Sequence, residues 1–319
     1  MNIVTRFILI VSGIIVATAV GYLARKKNWL AETAAGPLMF YSVIFAWTPV
    51  SALVLWQLPL QWSLVVLPFV SALVPILLAP FGFLFARLHK LDPKSAGTFI
   101  VASGISNIGF TMGGFVCYCL YDLPGLGYAN LFASSWALPY IGLFYPLARR
   151  FGDPSARLDA AFLLRTFFDL RSLPILGSII GLVLNLTKIT IPQFIPTFHI
   201  IDALVIFSVL SSFAIIGLQI HFSHMSEKIH LHLSLAAIKF LITPILMLSV
   251  LLILQKFVGH LPPLAQKVVR IQSFMPTAIF TVIISNLFHL NPRLATTLFI
   301  INTTLFLAII LPIIIFVFS

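Results

Sequence analysis

The residues with the most chemical promise lie between positions 103 and 114. Ser103, Gly104, Ser106, Asn107, Gly109, Thr111, Gly113 and Gly114 stand there, in the middle of an otherwise apolar segment. Amides and hydroxyls without a carboxylate suit hydrogen bonding to an anionic or neutral guest rather than bond cleavage. A second stretch, Gln272, Ser273, Phe274, Met275, Pro276 and Thr277, combines polar side chains with a mid-segment proline. Glycine releases backbone from helical geometry, and proline removes one hydrogen bond and clashes with the preceding turn. Both stretches therefore read as interruptions of helices, with freed amides and carbonyls available to a ligand.

The elements that hold these stretches are set by composition. Of 319 residues, 60% are hydrophobic and 8% are charged, against roughly a quarter charged in soluble domains. Apolar stretches of about 20 residues recur along the chain, each long enough to cross roughly 30 Å of hydrocarbon. The spans read as 5–24, 35–56, 62–86, 95–121, 125–148, 172–188, 198–221, 231–255, 263–288 and 293–318. The expected fold is an all-α integral membrane protein of about ten transmembrane helices, with the polar stretches in helices 4 and 9. Arg6, an apolar run and the triplet Ala17, Thr18, Ala19 imitate a cleavable leader, but Arg25, Lys26 and Lys27 favour retention of the segment as helix 1.

The formal charge of +11 is scattered in short runs between apolar segments, so it points to lipid headgroups and away from nucleic acid. With ten spans, the loops after helices 1, 3, 5, 7 and 9 hold thirteen of the nineteen Lys and Arg, and the opposite loops hold five. The positive-inside rule then places both termini on the non-cytoplasmic side.

The longest connection, 149–171, leaves 148 residues on either side. Its Asp153 and Pro154 read as a helix start, and Leu158, Ala161, Phe162, Leu164 and Phe168 as the apolar stripe of a helix on the cytoplasmic surface. An offset of 167 residues lays Leu131 and Phe132 on Leu298 and Phe299, and Gly109 on Pro276. Five spans per half force the second half to enter the membrane from the opposite side. The organisation read here is an inverted 5+5 repeat, 1–148 and 172–319 around the 149–171 linker, with helices 4 and 9 broken at matching places near the midplane.

Candidate site residues follow. Asn107 offers both donor and acceptor to a carboxylate, and Gly109, Thr111, Ser273, Met275, Pro276 and Thr277 flank the two breaks; Asn302 in helix 10 either lines the same cavity or bonds a neighbouring helix, two readings of equal weight. Gly177 and Gly181 have the spacing that brings helices close, and read as packing. Lys239 is the basic residue inside a span, a candidate charge partner or gating group; about eight residues, roughly 12 Å, separate it from the helix end, a distance its stem can snorkel in part, so a structural or lipid-facing role is favoured over direct substrate pairing. No carboxylate lies securely at mid-membrane, which leaves His221 as a candidate gating or coupling group. His221, His224, His230 and His232 match no strong metal signature, and Cys117 and Cys119 point to different helix faces, so no metal or cofactor is expected. Neither a His-Glu-x-x-His pair nor a Gly-x-Ser-x-Gly turn is present, so an enzyme is not expected.

Short motifs in order along the chain add a resemblance. Gly21, Tyr22, Leu23 with the following basic residues, then Trp29 and Leu30; Thr48, Pro49, Ala52 and Leu53; Ser106, Asn107, Ile108, Gly109, Phe110 and Gly113; Pro174, Gly177 and Gly181; Gly217 and Leu218; Lys239 and Pro244; Met275 and Pro276. Together these resemble the auxin efflux carrier family, which includes plant auxin carriers and bacterial organic-acid carriers. The short central linker is similar to that of the bacterial members. Gly114 and Phe115 stand where the family usually has a proline.

The resemblance implies a scaffold from helices 1, 2, 6 and 7, a transport domain from helices 3–5 and 8–10 whose crossing point is made by the broken helices 4 and 9, and Pro49 as a further site residue. It implies a secondary transporter of a small organic anion, in the inner membrane of a bacterium, driven by Na+ or H+ or by neither, with a homodimer as the assembly to test. The sodium-coupled bile-acid-type symporters share a similar architecture and are the near alternative; a channel or a sensor is the more distant one.

Overall fold

A computed structural model describes residues 3–109, 112–153, 155, 172–220 and 229–318. The chain is helical throughout these residues, and no strand occurs among them. The helices are α1 (Ile3–Lys26), α2 (Glu32–Trp56), α3 (Trp62–Leu88), α4 (Pro93–Gly104), α5 (Gly113–Ala133), α6 (137–152), α7 (Leu173–Leu186), α8 (Ile200–Gln219), α9 (Ile229–Val258), α10 (Pro263–Ser273), α11 (Phe280–Leu287) and α12 (Pro292–Phe318). Six helical stretches among the described residues are long and apolar enough to cross a membrane: α2, α3, the run from α5 through α6, α8, α9 and α12. The protein is an all-α, multi-pass membrane protein.

The outer surface accords with a lipid solvent. Leu176, Ile179, Ile180 and Val183 of α7, Phe207 of α8, and Leu241, Ile245, Leu252 and Phe257 of α9 are all exposed. In water such a surface would drive aggregation; in a bilayer it faces hydrocarbon.

Two helix pairs are seamed by glycine. Helix α1 runs along α8, where Gly21 faces the backbone of Ala214 and Gly217 faces the carbonyl of Thr18. Helix α7 runs along α2, where Gly177 faces the carbonyl of Thr48 and Gly181 that of Ala52. A Cβ on Gly181 would stand 2.3 Å from the Ala52 oxygen, so only glycine permits the approach. The remaining helices pack on one another beside these pairs, α3 against α4 and α9, α5 against α10, and α12 against α4, α9 and α11.

Prolines shape the long helices in a recurring way. Among the described residues a π-turn precedes each of four Xaa-Pro pairs: Val43–Trp47 before Thr48 and Pro49, Tyr140–Phe144 before Tyr145 and Pro146, Ile238–Ile242 before Thr243 and Pro244, and Phe306–Ile310 before Leu311 and Pro312. A proline ring clashes with the carbonyl four residues back, and a wider turn relieves the clash without ending the helix. Helix α5 has a sharper discontinuity at Tyr121 and Asp122, where Asp122 adopts φ 55° ahead of Pro124. The chain turns there, so 113–121 and the helix beyond it run as separate segments.

Candidate functional site

The site is built where two helices stop. Helix α4 is launched by Asp92, whose carboxylate accepts the Ser95 amide at 3.1 Å, with Pro93 in the first turn. It ends at Gly104, and Ile105 is extended (φ −93°, ψ 118°). Gly109, at φ 78°, reverses the chain in a conformation that a side chain would strain. The Asn107 carbonyl accepts the Gly113 amide at 3.0 Å, and the Gly109 carbonyl accepts that of Gly114, which starts α5. Helix α10 ends at Ser273, and α11 begins at Phe280.

The two gaps satisfy each other. Ser106 and Thr277 form an isolated antiparallel bridge: the Asn107 amide donates to the Pro276 carbonyl at 2.7 Å, and the Ala278 amide donates to the Ile105 carbonyl at 3.2 Å. Unwound backbone inside a membrane protein leaves groups that cost several kcal/mol each if unpaired. Side chains complete the pairing. Thr277 donates its hydroxyl to Ala102 O at 2.9 Å and Ile105 O at 3.3 Å, and its amide donates to Asn302 Oδ1 at 2.8 Å. Lys239 donates from Nζ to Ile105 O at 3.0 Å and lies 2.9 Å from Ser106 Oγ. The Ile105 carbonyl thus receives three donors, from Ala278, Thr277 and Lys239.

This crossing forms one wall of a cleft of about 560 Å³, its open mouth included. Ser106, Asn107 and Ile108 line it from the first gap, and Ala278, Ile279 and Phe280 from the second. Trp47 of α2 and Pro174 of α7 face them from the glycine-seamed pair. Trp136 and Tyr140 close one side, with ring centroids 5.2 Å apart and each within 6.3 Å of the Phe280 ring. A second cleft of about 580 Å³ lies between α2 and α8 on one hand and Tyr145, Phe280 and Ile283 on the other. Phe280 lines both clefts.

The sequence-derived candidates divide by position. Asn107 is buried and lines the cleft. Gly109 and Pro276 shape the two gaps, and Thr277 and Asn302 support them from behind. Ser273 and Met275 are fully buried, outside the cleft lining, with the Ser273 hydroxyl donating to Arg270 O at 2.6 Å. Pro49 is half-buried in α2, two residues beyond Trp47, and does not line the cleft. Thr111, His221, His224 and the amphipathic stripe of the linker lie outside the described residues.

For Lys239 the lipid-facing alternative is overturned and the structural one remains: its side chain is completely buried and its Nζ reaches inward to the gap. The cleft's aromatic members, Trp47, Trp136, Tyr140 and Phe280, were not singled out by sequence. An aromatic ring in an apolar span reads as packing, and nothing local distinguishes a wall from a core.

No family model matches the chain, and no curated protein matches it. The reading of function therefore rests on the site's own chemistry. Among the described residues lining the cleft, Tyr140 is the one with a titratable group, and none carries a carboxylate, imidazole or thiol. The lining is apolar and aromatic apart from Ser106, the buried Asn107 amide and the Tyr140 hydroxyl, a composition of the kind found in small-molecule pockets.

Proposed function

We propose that this protein is a secondary transporter that carries a small organic anion across the membrane by alternating access. The observation that carries the reading is the antiparallel bridge between two interrupted helices on one wall of a cleft, with the glycine-seamed helices on the other wall. Cleft walls of two different constructions, one rigid and one interrupted, suit movement of one helix group past the other with the guest between them.

In this proposal the chain makes ten spans as two inverted halves. Several features support the repeat. The π-turns at Tyr140–Phe144 and Phe306–Ile310 lie 166 residues apart, each ahead of an Xaa-Pro pair. Pro124 and Pro292 stand near the starts of the corresponding segments. Exchanging helix 1 with 6 and helix 2 with 7 converts the α1–α8 seam into the α7–α2 seam. The family proposed is that of the auxin efflux carriers, on the motifs already described, with helices 1, 2, 6 and 7 as scaffold and both termini outside the cytoplasm. A reporter active only in the cytoplasm, fused to Ser319, should stay silent; strong activity would sink the orientation.

The function itself is tested with purified protein. Thermal shifts against mono- and dicarboxylates, keto acids, bile acids and indole acids, with and without sodium, select a guest. Counterflow of that guest into liposomes should then be seen, and Asn107→Ala should reduce it at least tenfold while leaving the protein folded. Counterflow unchanged in Asn107→Ala would remove the proposed site, and flux without counterflow would mark a channel.

A further inference from the structure

Lys239 carries a consequence beyond transport as such. Its side chain is fully buried within the membrane-spanning helix α9, at the π-turn Ile238–Ile242. No ion pair to it occurs among the described residues. A charged amine in that position is costly unless dipoles replace its hydration shell. The replacements here are the Ile105 carbonyl, at the end of α4 where the helix dipole is negative, and the Ser106 hydroxyl. Thr277 Oγ1 approaches the same carbonyl at 3.3 Å, and Asn302 is tied to Thr277.

This set of an unwound carbonyl at a half-helix C-terminus with hydroxyl oxygens beside it is the kind of neutral-oxygen donor set that holds a small monovalent cation in interrupted transporter helices. Here an amine nitrogen occupies that place. Cation and protein are one molecule, so occupancy cannot depend on salt.

We propose that the Lys239 ammonium is a built-in substitute for a coupling cation, holding the α4 gap so that the Asn107 face is formed without a bound metal ion. Lys239 acts through Ile105 and Ser106 and is a positioning residue. The consequence for coupling rests on the carrier reading given above, whereas the occupancy of the gap by the amine does not.

The test reads cation binding alone. Thermal stability of the detergent-purified full-length protein is measured in sodium, lithium, potassium and choline chloride at equal ionic strength, for wild type, Lys239→Ala and Lys239→Met. Wild type should melt at the same temperature in all four salts and bind no radioactive sodium. Lys239→Ala, which vacates space beside Ile105 O and Ser106 Oγ, should melt several degrees lower in choline and regain at least half of that loss in sodium or lithium. Lys239→Met fills the space with apolar atoms and should be lowered equally in every salt. Specific stabilisation of wild type by sodium, or saturable sodium binding to it, overturns the proposal. So does a folded Lys239→Ala that is indifferent to the cation.

If Lys239→Ala can be purified only in sodium or lithium, that outcome supports the proposal. If it fails in every salt while Lys239→Met is recovered, the proposal falls. No solute enters these measurements. Absence of counterflow for every acid would therefore remove the carrier reading and leave this result standing.

Discussion

Glycine does opposite work in two parts of this molecule. In the α1–α8 and α2–α7 seams, Gly21, Gly217, Gly177 and Gly181 stay inside regular helices and let one backbone lie against another. At the interrupted helices, Gly104 ends α4, and Gly109 takes φ 78° so that the chain can reverse and start again at Gly113. At these seam glycines the backbone stays helical, so its groups are paired within each helix; side chains are needed only at the helix ends, where Asn185 caps carbonyls of α2 and Arg25 one of α8. The gaps leave several, and these are held by Thr277 of the second gap bonding the first, by Asn302 of α12 and by Lys239 of α9. A seam resists movement through sterics; the gap is held by a small number of hydrogen bonds that can be exchanged.

This contrast predicts different failures. The largest effect is expected at the seam. Gly181→Leu drives side-chain atoms into the Ala52 carbonyl, where backbone cannot yield, and overpacking of this kind should cost about 3 kcal/mol or more. Loss of recoverable folded protein on size exclusion checks it; a monodisperse variant with wild-type melting would refute the seam. At the gap, Thr277→Val keeps the shape but strips the donor from Ala102 O and Ile105 O, at about 1–3 kcal/mol. Melting should drop by a few degrees, with Thr277→Ser restoring most of it. Gly109→Ala should cost about 1–2 kcal/mol for a non-glycine residue in the left-handed region. Its effect on solute counterflow should be larger than its effect on melting, the reverse of any seam variant.

The legibility of these two regions in the sequence also differs. Glycine, proline and polar residues clustered mid-span announce interruptions, because an ordinary apolar helix has no use for them; both helices end inside those clusters, α4 at Gly104 and α10 at Ser273. Six stretches are long and apolar enough to cross a bilayer where hydropathy reads ten spans; at two of the unmarked spans, 4 and 9, the interruptions leave α4, α10 and α11 with 12, 11 and 8 residues, too few for each to cross alone.

What could not be read is whatever depends on a distant partner. Nothing local to Lys239 tells an inward stem from a snorkelling one, and the deciding acceptor, Ile105, is 134 residues away. The π-turns were equally hidden, since a proline in a helix predicts disruption without saying whether a kink or a wider turn absorbs it. Trp47, Trp136, Tyr140 and Phe280 become a cleft only once α2, α6 with the turn before it, and α11 place them together.

The smallest predicted effect lies at the edge of the bundle and asks whether the contrast reaches the helix ends. His89 follows α3, with Nε2 2.8 Å from Ser234 Oγ and its ring centroid 4.8 Å from that of His230 at the start of α9. Burial, and then repulsion from His230, lowers the His89 pKa from its ordinary 6.5. The folded protein therefore holds His89 neutral where the unfolded chain would bind a proton. The stabilising contribution is fully present above about pH 6.5 and is lost as the pH falls through the lowered folded value. Melting temperature should decline modestly over that acid limb, and His89→Gln should flatten the decline while keeping a hydrogen bond to Ser234. If the contact between α3 and α9 is as fixed as the seams, the change stays confined to stability. If these helices move with the interrupted pair, acid should also slow counterflow in wild type but not in His89→Gln, and a slope identical in both proteins would exclude His89 as its source.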